Sequence, residues 1–169
     1  RFGLMKQGDY SPFWHYASCL SYWTGLRLID CASMDWDSVM IVPDNLVVWT
    51  AKAGDGQHAR VALPMKHELL GGGMLIDLFN EQLDRFDASS PFIWPREQEM
   101  MNNVKKRSLL PQEFIRKMRK FKINNKSFHC LRHSCVTRWR KAGMTLEQIG
   151  TLVAHTSTGT TEVYNHHEG

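Results

Sequence analysis

Among the chain's charged, titratable and nucleophilic side chains are two arginines, two histidines, a lysine and a tyrosine: Arg27, Lys52, His129, Arg132, His155 and Tyr164. His129 and Arg132 stand three apart in Phe128-His129-Cys130-Leu131-Arg132-His133. His155 follows Arg132 by 23 positions, and Tyr164 follows His155 by nine. A guanidinium is always charged and offers paired donors that match two phosphate oxygens. Histidine titrates near pH ~6.5 and so moves protons at neutral pH. A tyrosine with a pKa near ~10 is phenolate in only about one molecule in a thousand at pH 7, and needs cationic neighbours or a base to attack. Cutting a phosphodiester with an enzyme hydroxyl makes three demands. The nucleophile must lose a proton, the phosphorane-like transition state must be stabilised, and the leaving 5′-oxygen must gain a proton. This set of side chains can meet all three.

Each residue also has a plain structural role open to it. Arg27 could be a surface or ion-pair arginine near Asp30, and Lys52 a solvated hairpin lysine. His129 could cap the helix that follows, His155 could bond the end of its own helix, and Tyr164 could be a half-buried aromatic. Taken singly these roles are the commoner ones, and the residue types alone do not reverse that. Metal binding has less support. Cys130, Cys135, His129 and His133 could be imagined around zinc, since the two histidines share a helical face, but no second ligand pair has metal-finger spacing. Nothing resembles a carboxylate cluster for Mg²⁺. Cys19, Cys31, Cys130 and Cys135 form no CxxC pair and lie in apolar stretches, which predicts buried free thiols. His133 reads as a packed helix residue, and Trp23, Trp36, Trp49 and Trp139 as core or its margin. His166 and His167 read as an exposed tail.

Periodicity predicts the secondary structure around these side chains. Phe13, Tyr16, Ala17, Leu20, Trp23 and Leu26 recur at helical steps and predict a helix over about 12–32, interrupted at Gly25. Short strands are expected at 38–42, 46–52 and 59–63, the first two parted by Pro43-Asp44-Asn45 and the last two by Gly54-Asp55-Gly56. After Gly71-Gly72-Gly73 a helix is expected over about 74–85. Loops follow around Ser89-Ser90-Pro91 and Pro95, then a helix from Pro111 to about Phe121. Further helices are expected over 131–141, ending at Gly143, and from a Thr145–Gln148 capping box to about Ala154, with a last short one at 160–166. The fold class is therefore mixed α+β, mainly α-helical with a small three-stranded antiparallel sheet.

The whole 169-residue chain suits one domain, with 43% apolar residues to build a core. It opens on Arg1, which suggests a segment of a longer protein. No stretch approaches the ~20 apolar residues of a membrane span. The net charge is +4, and its distribution matters more than its total. Lys105, Lys106, Arg107, Arg116, Arg119 and Lys126, with Lys117, Lys120 and Lys122, face only Glu113 as an acid in that stretch. Such an imbalance suits a polyanion, or else a solvated basic helix face.

The segment from Phe128 to Thr137, continued by Ala154-His155 and Thr160-Thr161-Glu162-Val163-Tyr164, resembles the second motif box of the tyrosine recombinases, the phage integrase family. That family carries HxLRH, a Gly-His dipeptide and a tyrosine after a Thr-Thr pair; Ala154 replaces the glycine here. Thr24-Gly25-Leu26-Arg27-Leu28-Ile29-Asp30 resembles its TGxRxxE segment, with Asp30 for Glu, and the stretches 46–52 and 59–64 resemble the hairpin that carries its lysine. The resemblance runs from about Trp14 to His166. It implies a catalytic domain whose amino-terminal, DNA-clamping companion is missing from this fragment, and a site-specific recombinase or integrase working without metal, cofactor or ATP. Tyr164 would be the nucleophile, Arg27 and Arg132 the phosphate clamp, His155 a further donor, His129 the proton acceptor and Lys52 the general acid. The implied partner is double-stranded DNA, engaged by a homo-tetramer on paired sites, with the fragment alone a monomer. The implied setting is cytoplasmic and nucleoid-associated, in a bacterium or phage. An inactive DNA-binding relative and a type IB topoisomerase-like enzyme are the alternatives.

Overall fold

A buried stripe along the first helix organises the molecule. Phe13, Tyr16, Ala17, Leu20 and Thr24 fall three or four residues apart, or next to one another on that stripe, and each is at most 2% exposed. In the computed structural model this helix, α1, spans Pro12–Thr24, with Pro12 at its first turn, where a missing N–H costs nothing. The structure describes residues 11–37, 40–42, 45–51, 58–84 and 86–153; of the strand residues, only Val47 and residues 62–64 are described with their side chains. The first and last segments, including the helix expected at 160–166, lie outside the described residues.

Gly25 ends α1 in the left-handed conformation (φ +72°), its N–H donating to the Ser21 carbonyl at 2.8 Å. A short α2, Leu28–Ala32, follows after three residues. Three antiparallel strands come next: β1 (Met40–Val42), β2 (Asn45–Ala51) and β3 (His58–Pro64), in the order β1-β2-β3. Val42 lies opposite Asn45, and Ala51 opposite His58. A 3₁₀ turn at Glu68–Leu70 leads through three glycines, all with positive φ, into α3 (Met74–Leu83).

Where a loop was expected around Pro95, the chain forms α4, Pro95–Asn102. Proline presets φ for a first helical turn and Glu97 sits favourably there, so Pro95 opens a helix instead of breaking one. The next helix, α5, is Leu109–Lys120 and starts two residues before Pro111. Pro111 stands within its first turn, where N–H groups lack helical partners anyway. The α6 helix begins at His129 rather than 131 and runs to Lys141. The Thr145–Gln148 capping box is formed, with both hydrogen bonds made (2.8 and 3.2 Å), and opens α7, Leu146–Leu152.

Helix α6 packs along α1, with Cys135, Val136 and Trp139 fully buried between them. An aromatic group of Phe13, Trp14, Trp94, Phe114 and Phe128 joins α1, the start of α4, α5 and the start of α6, with ring centroids 4.8–6.1 Å apart. Trp139 is core, Trp23 and Trp36 are half-buried, and the side chain of Trp49 lies outside the described set. Cys31 and Cys135 are buried free thiols as expected, whereas Cys19 and Cys130 are only partly covered. No helix among the described residues is long and apolar enough to cross a membrane.

Candidate active site

The segment Thr24–Asp30 is folded by its own polar groups. Thr24 turns its hydroxyl back onto the Leu20 carbonyl at 2.6 Å and accepts the Leu26 N–H at 3.3 Å. Leu26, 1% exposed, anchors the link in the core. Asp30 accepts the backbone N–H of Arg27 at 3.0 Å. This is the N-terminal hold that a Glu three residues into a helix would otherwise provide. The result is a short, pinned turn that presents the half-buried Arg27 side chain at the head of α2.

Helix α6 brings the second group. Phe128, 5% exposed, wedges between Trp14 and Phe114 and fixes the helix start. His129 is the first helical residue, and Arg132 lies one turn on. Arg132 is 2% exposed and donates to two carbonyls, Gly25 at 2.5 Å and Val153 at 2.9 Å. These carbonyls belong to the ends of α1 and α7, where helices leave acceptors without partners. A buried guanidinium with strong acceptors is held far more firmly than a surface one.

Arg27, His129 and Arg132 line one cleft of about 210 Å³, closed on its sides by Leu26, Pro111 and Ser127. His129 keeps part of its surface open, yet partial burial is the main influence that lowers its pKa below the ordinary histidine value. The positive charges of His133, Arg132 and Arg27 lower it further. The imidazole is therefore biased toward its neutral form, which can accept a proton. Chemically the cleft offers the half-buried Arg27 guanidinium and a proton acceptor to an anionic oxygen group, with the buried Arg132 guanidinium adding positive charge behind them at the N-terminal end of α6.

Three of the six sequence candidates are thus brought together. Lys52, His155 and Tyr164 lie outside the described residues; in sequence, Lys52 follows directly on β2, and His155 stands two residues beyond Val153. His133 departs from its expected packed role: it is exposed, with its ring edge-on to His129 at 4.7 Å between centroids. Its spacing of four from His129 was the signal for that contact. Cys135 faces the other way, toward the Trp23 carbonyl at 3.4 Å, and burial pushes its thiol up to about 12. Among the described residues no group of three or more His, Cys, Asp or Glu side chains could hold a metal.

Lys105, Lys106, Arg107, Arg116, Arg119 and Lys126 are all exposed. Arg116 and Arg119 line a groove of about 600 Å³ between α4 and α5, with Arg96 on the facing wall. Lys106 is paired with Glu99 at 2.8 Å, and Lys117, Arg119 and Lys120 fall in the last turn of α5, where cations suit the helix dipole.

The phage integrase family model matches residues 5–169. The chain belongs to the phage integrase family. Solved structures show the same integrase fold at low identity. The XerH site-specific recombinase, in a post-cleavage complex with a palindromic difH substrate, superposes with a TM-score of 0.68 at 14% identity, over 96% of this chain and 44% of that one. The Tn1549 transposon integrase, in complex with transposon right end DNA, gives 0.66 at 15% identity, over 93% and 55%. A lambda integrase dimer bound to a COC′ core site gives 0.64 at 18%, over 96% and 44%. The integrase segment here therefore spans about half the length of these proteins. No curated protein sequence matches it.

Proposed function

We propose that this chain is the catalytic domain of a tyrosine-type site-specific DNA recombinase, which cuts and rejoins DNA through a 3′-phosphotyrosyl link to Tyr164. A fold can host many activities, so the reading rests on the site. The observation that carries it is the meeting of Arg27, His129 and Arg132 in one cleft, from segments about a hundred residues apart.

In this reading the scissile phosphate of double-stranded DNA lies against Arg27 and Arg132, with His155 donating to a non-bridging oxygen. Preorganised donors of this kind contribute a factor of roughly 10²–10³ each. His129 takes the proton of the Tyr164 hydroxyl. The phenolic oxygen bonds to phosphorus, the bond from phosphorus to the 5′-oxygen breaks, and Lys52 protonates that oxygen. The new ester conserves the energy of the old one, so a 5′-hydroxyl rejoins the strand by the reverse path without ATP. Lys52 directly follows the last residue of β2, so the small antiparallel sheet would serve as the carrier of the acid. In the whole protein an amino-terminal domain would clamp the other DNA face, and a homo-tetramer would hold paired sites in the bacterial cytoplasm, on the nucleoid. Among the structural neighbours, lambda integrase is seen as a dimer on a core site and as a tetramer on a Holliday junction.

A suicide DNA substrate, nicked so that the 5′ fragment escapes, tests the reading. The protein should form a denaturant-resistant adduct, and Tyr164→Phe should abolish it while DNA binding stays within a few-fold. An adduct from the Phe variant would remove Tyr164 from its role. Binding without any adduct would indicate a binding-only relative. Relaxation of supercoiled plasmid without recombinant products would indicate a type IB topoisomerase-like enzyme.

A further inference from the structure

His133 has no part in the mechanism above, yet it touches the group that does. It lies one turn beyond His129 on the same face of α6, with the two rings 4.7 Å apart between centroids and 86° between planes. In such an edge-to-face contact the electropositive edge of one ring meets the π-face of the other. The contact is favourable when at most one ring is charged, because a second proton would put two cations side by side. The surroundings strengthen that bias. Among the described residues, the charged groups acting on His129 are His133 and Arg132 from α6 itself and Arg27 from the head of α2, all potential or permanent cations. The first turn of α6 adds the positive end of its dipole.

We propose that His133 is a positioning residue for His129, holding its ring at the cleft and sharing a single proton with it, so that the pair does not carry two charges at neutral pH. This inference rests on the proton-acceptor role proposed for His129. Both imidazoles are exposed, and a proton is disfavoured on His129, which stays able to take the proton of the attacking hydroxyl. The two imidazoles then titrate as a coupled pair, not as independent groups. Partial burial of His129 and the charge on His133 act in the same direction.

The test compares His133→Phe, which keeps a ring but no charge, His133→Ala, which keeps neither, and His133→Lys, which keeps a charge. The His129 imidazole is titrated by NMR in each protein, and single-turnover cleavage of the suicide substrate is followed against pH. Removing the neighbouring charge should move the His129 titration to higher pH in the Phe and Ala variants, and the Lys variant should keep it low. The acid limb of the cleavage profile should move with it. The alkaline plateau should be retained by Phe and reduced in Ala, because only Ala loses the ring contact. A His129 titration unchanged in the Phe variant overturns the shared proton, and equal plateaus in wild type and Ala overturn the positioning. If the NMR titration moves while the acid limb does not, the coupling stands and the role proposed for His129 in cleavage fails.

Discussion

The guanidinium of Arg132 donates to the carbonyl of Gly25 at 2.5 Å, across 107 positions of the sequence. Gly25 precedes Arg27 by two residues, and the second carbonyl held by Arg132, that of Val153, precedes His155 by two. One buried side chain thus ties down the ends of both helices, each two positions before another candidate residue in the sequence.

Substituting Gly25 tests this arrangement. An alanine Cβ there would lie 2.8 Å from Cγ1 of the buried Val153, and the backbone has φ +72°. The left-handed conformation costs a non-glycine residue about 1 kcal/mol, and overpacking typically adds about 1–3. Gly25→Ala should therefore lower unfolding free energy by about 2–4 kcal/mol in denaturant titrations. It should also reduce cleavage at temperatures where the variant remains folded. Full stability in the variant would mean that the Gly25–Val153 contact is not tight.

Arg132→Lys keeps the charge but not the fork. A single ammonium cannot reach both carbonyls in the geometry of the guanidinium, and a buried acceptor left without its donor costs about 1–3 kcal/mol. The lysine variant should be destabilised by about that amount. Its cleavage should fall by roughly 10²–10³, as for loss of an oxyanion donor. Wild-type rates would show that a point charge suffices.

Lys52 can be isolated from the other groups by substrate chemistry. If it protonates the leaving oxygen, Lys52→Ala should cleave ordinary DNA very slowly. Sulfur in place of the bridging 5′-oxygen leaves without a proton, so the variant should be largely rescued on that substrate, while Arg27→Ala should not. Equal defects on both substrates would assign the acid role elsewhere.

The basic stretch predicts a salt effect. Each duplex phosphate neutralised contributes about 0.9 to the log–log slope of affinity against salt. Arg116 and Arg119 are both exposed on one wall of the same groove, so their joint replacement by alanine should flatten the slope by up to roughly two units and weaken all sequences alike. Lys106→Ala should change it less, since Lys106 is already paired with Glu99. An unchanged slope in the double variant would leave this stretch a solvated basic face.

The local architecture and the list of candidates were legible in the residues alone. The stop of α1 at Gly25, the capping box of Thr145 and Gln148 and the period of the α1 stripe are set by hydrogen bonds and contacts within about one helical turn, so composition at short range suffices to read them. Short range misleads where a residue serves two local structures equally well. Pro95 marks a loop or opens a helix; the helix it opens, with Glu97 in its first turn, packs against α2 and α5. Burial and partnership needed the tertiary structure throughout. Nothing in the order of residues says that Arg132 is sealed at 2% exposure under two carbonyls while its neighbour His133 stays in solvent. On a helix, adjacent positions point about 100° apart. Which of them turns inward depends on where α1 and the end of α7 come to lie, segments separated from α6 by some hundred and some ten residues of chain.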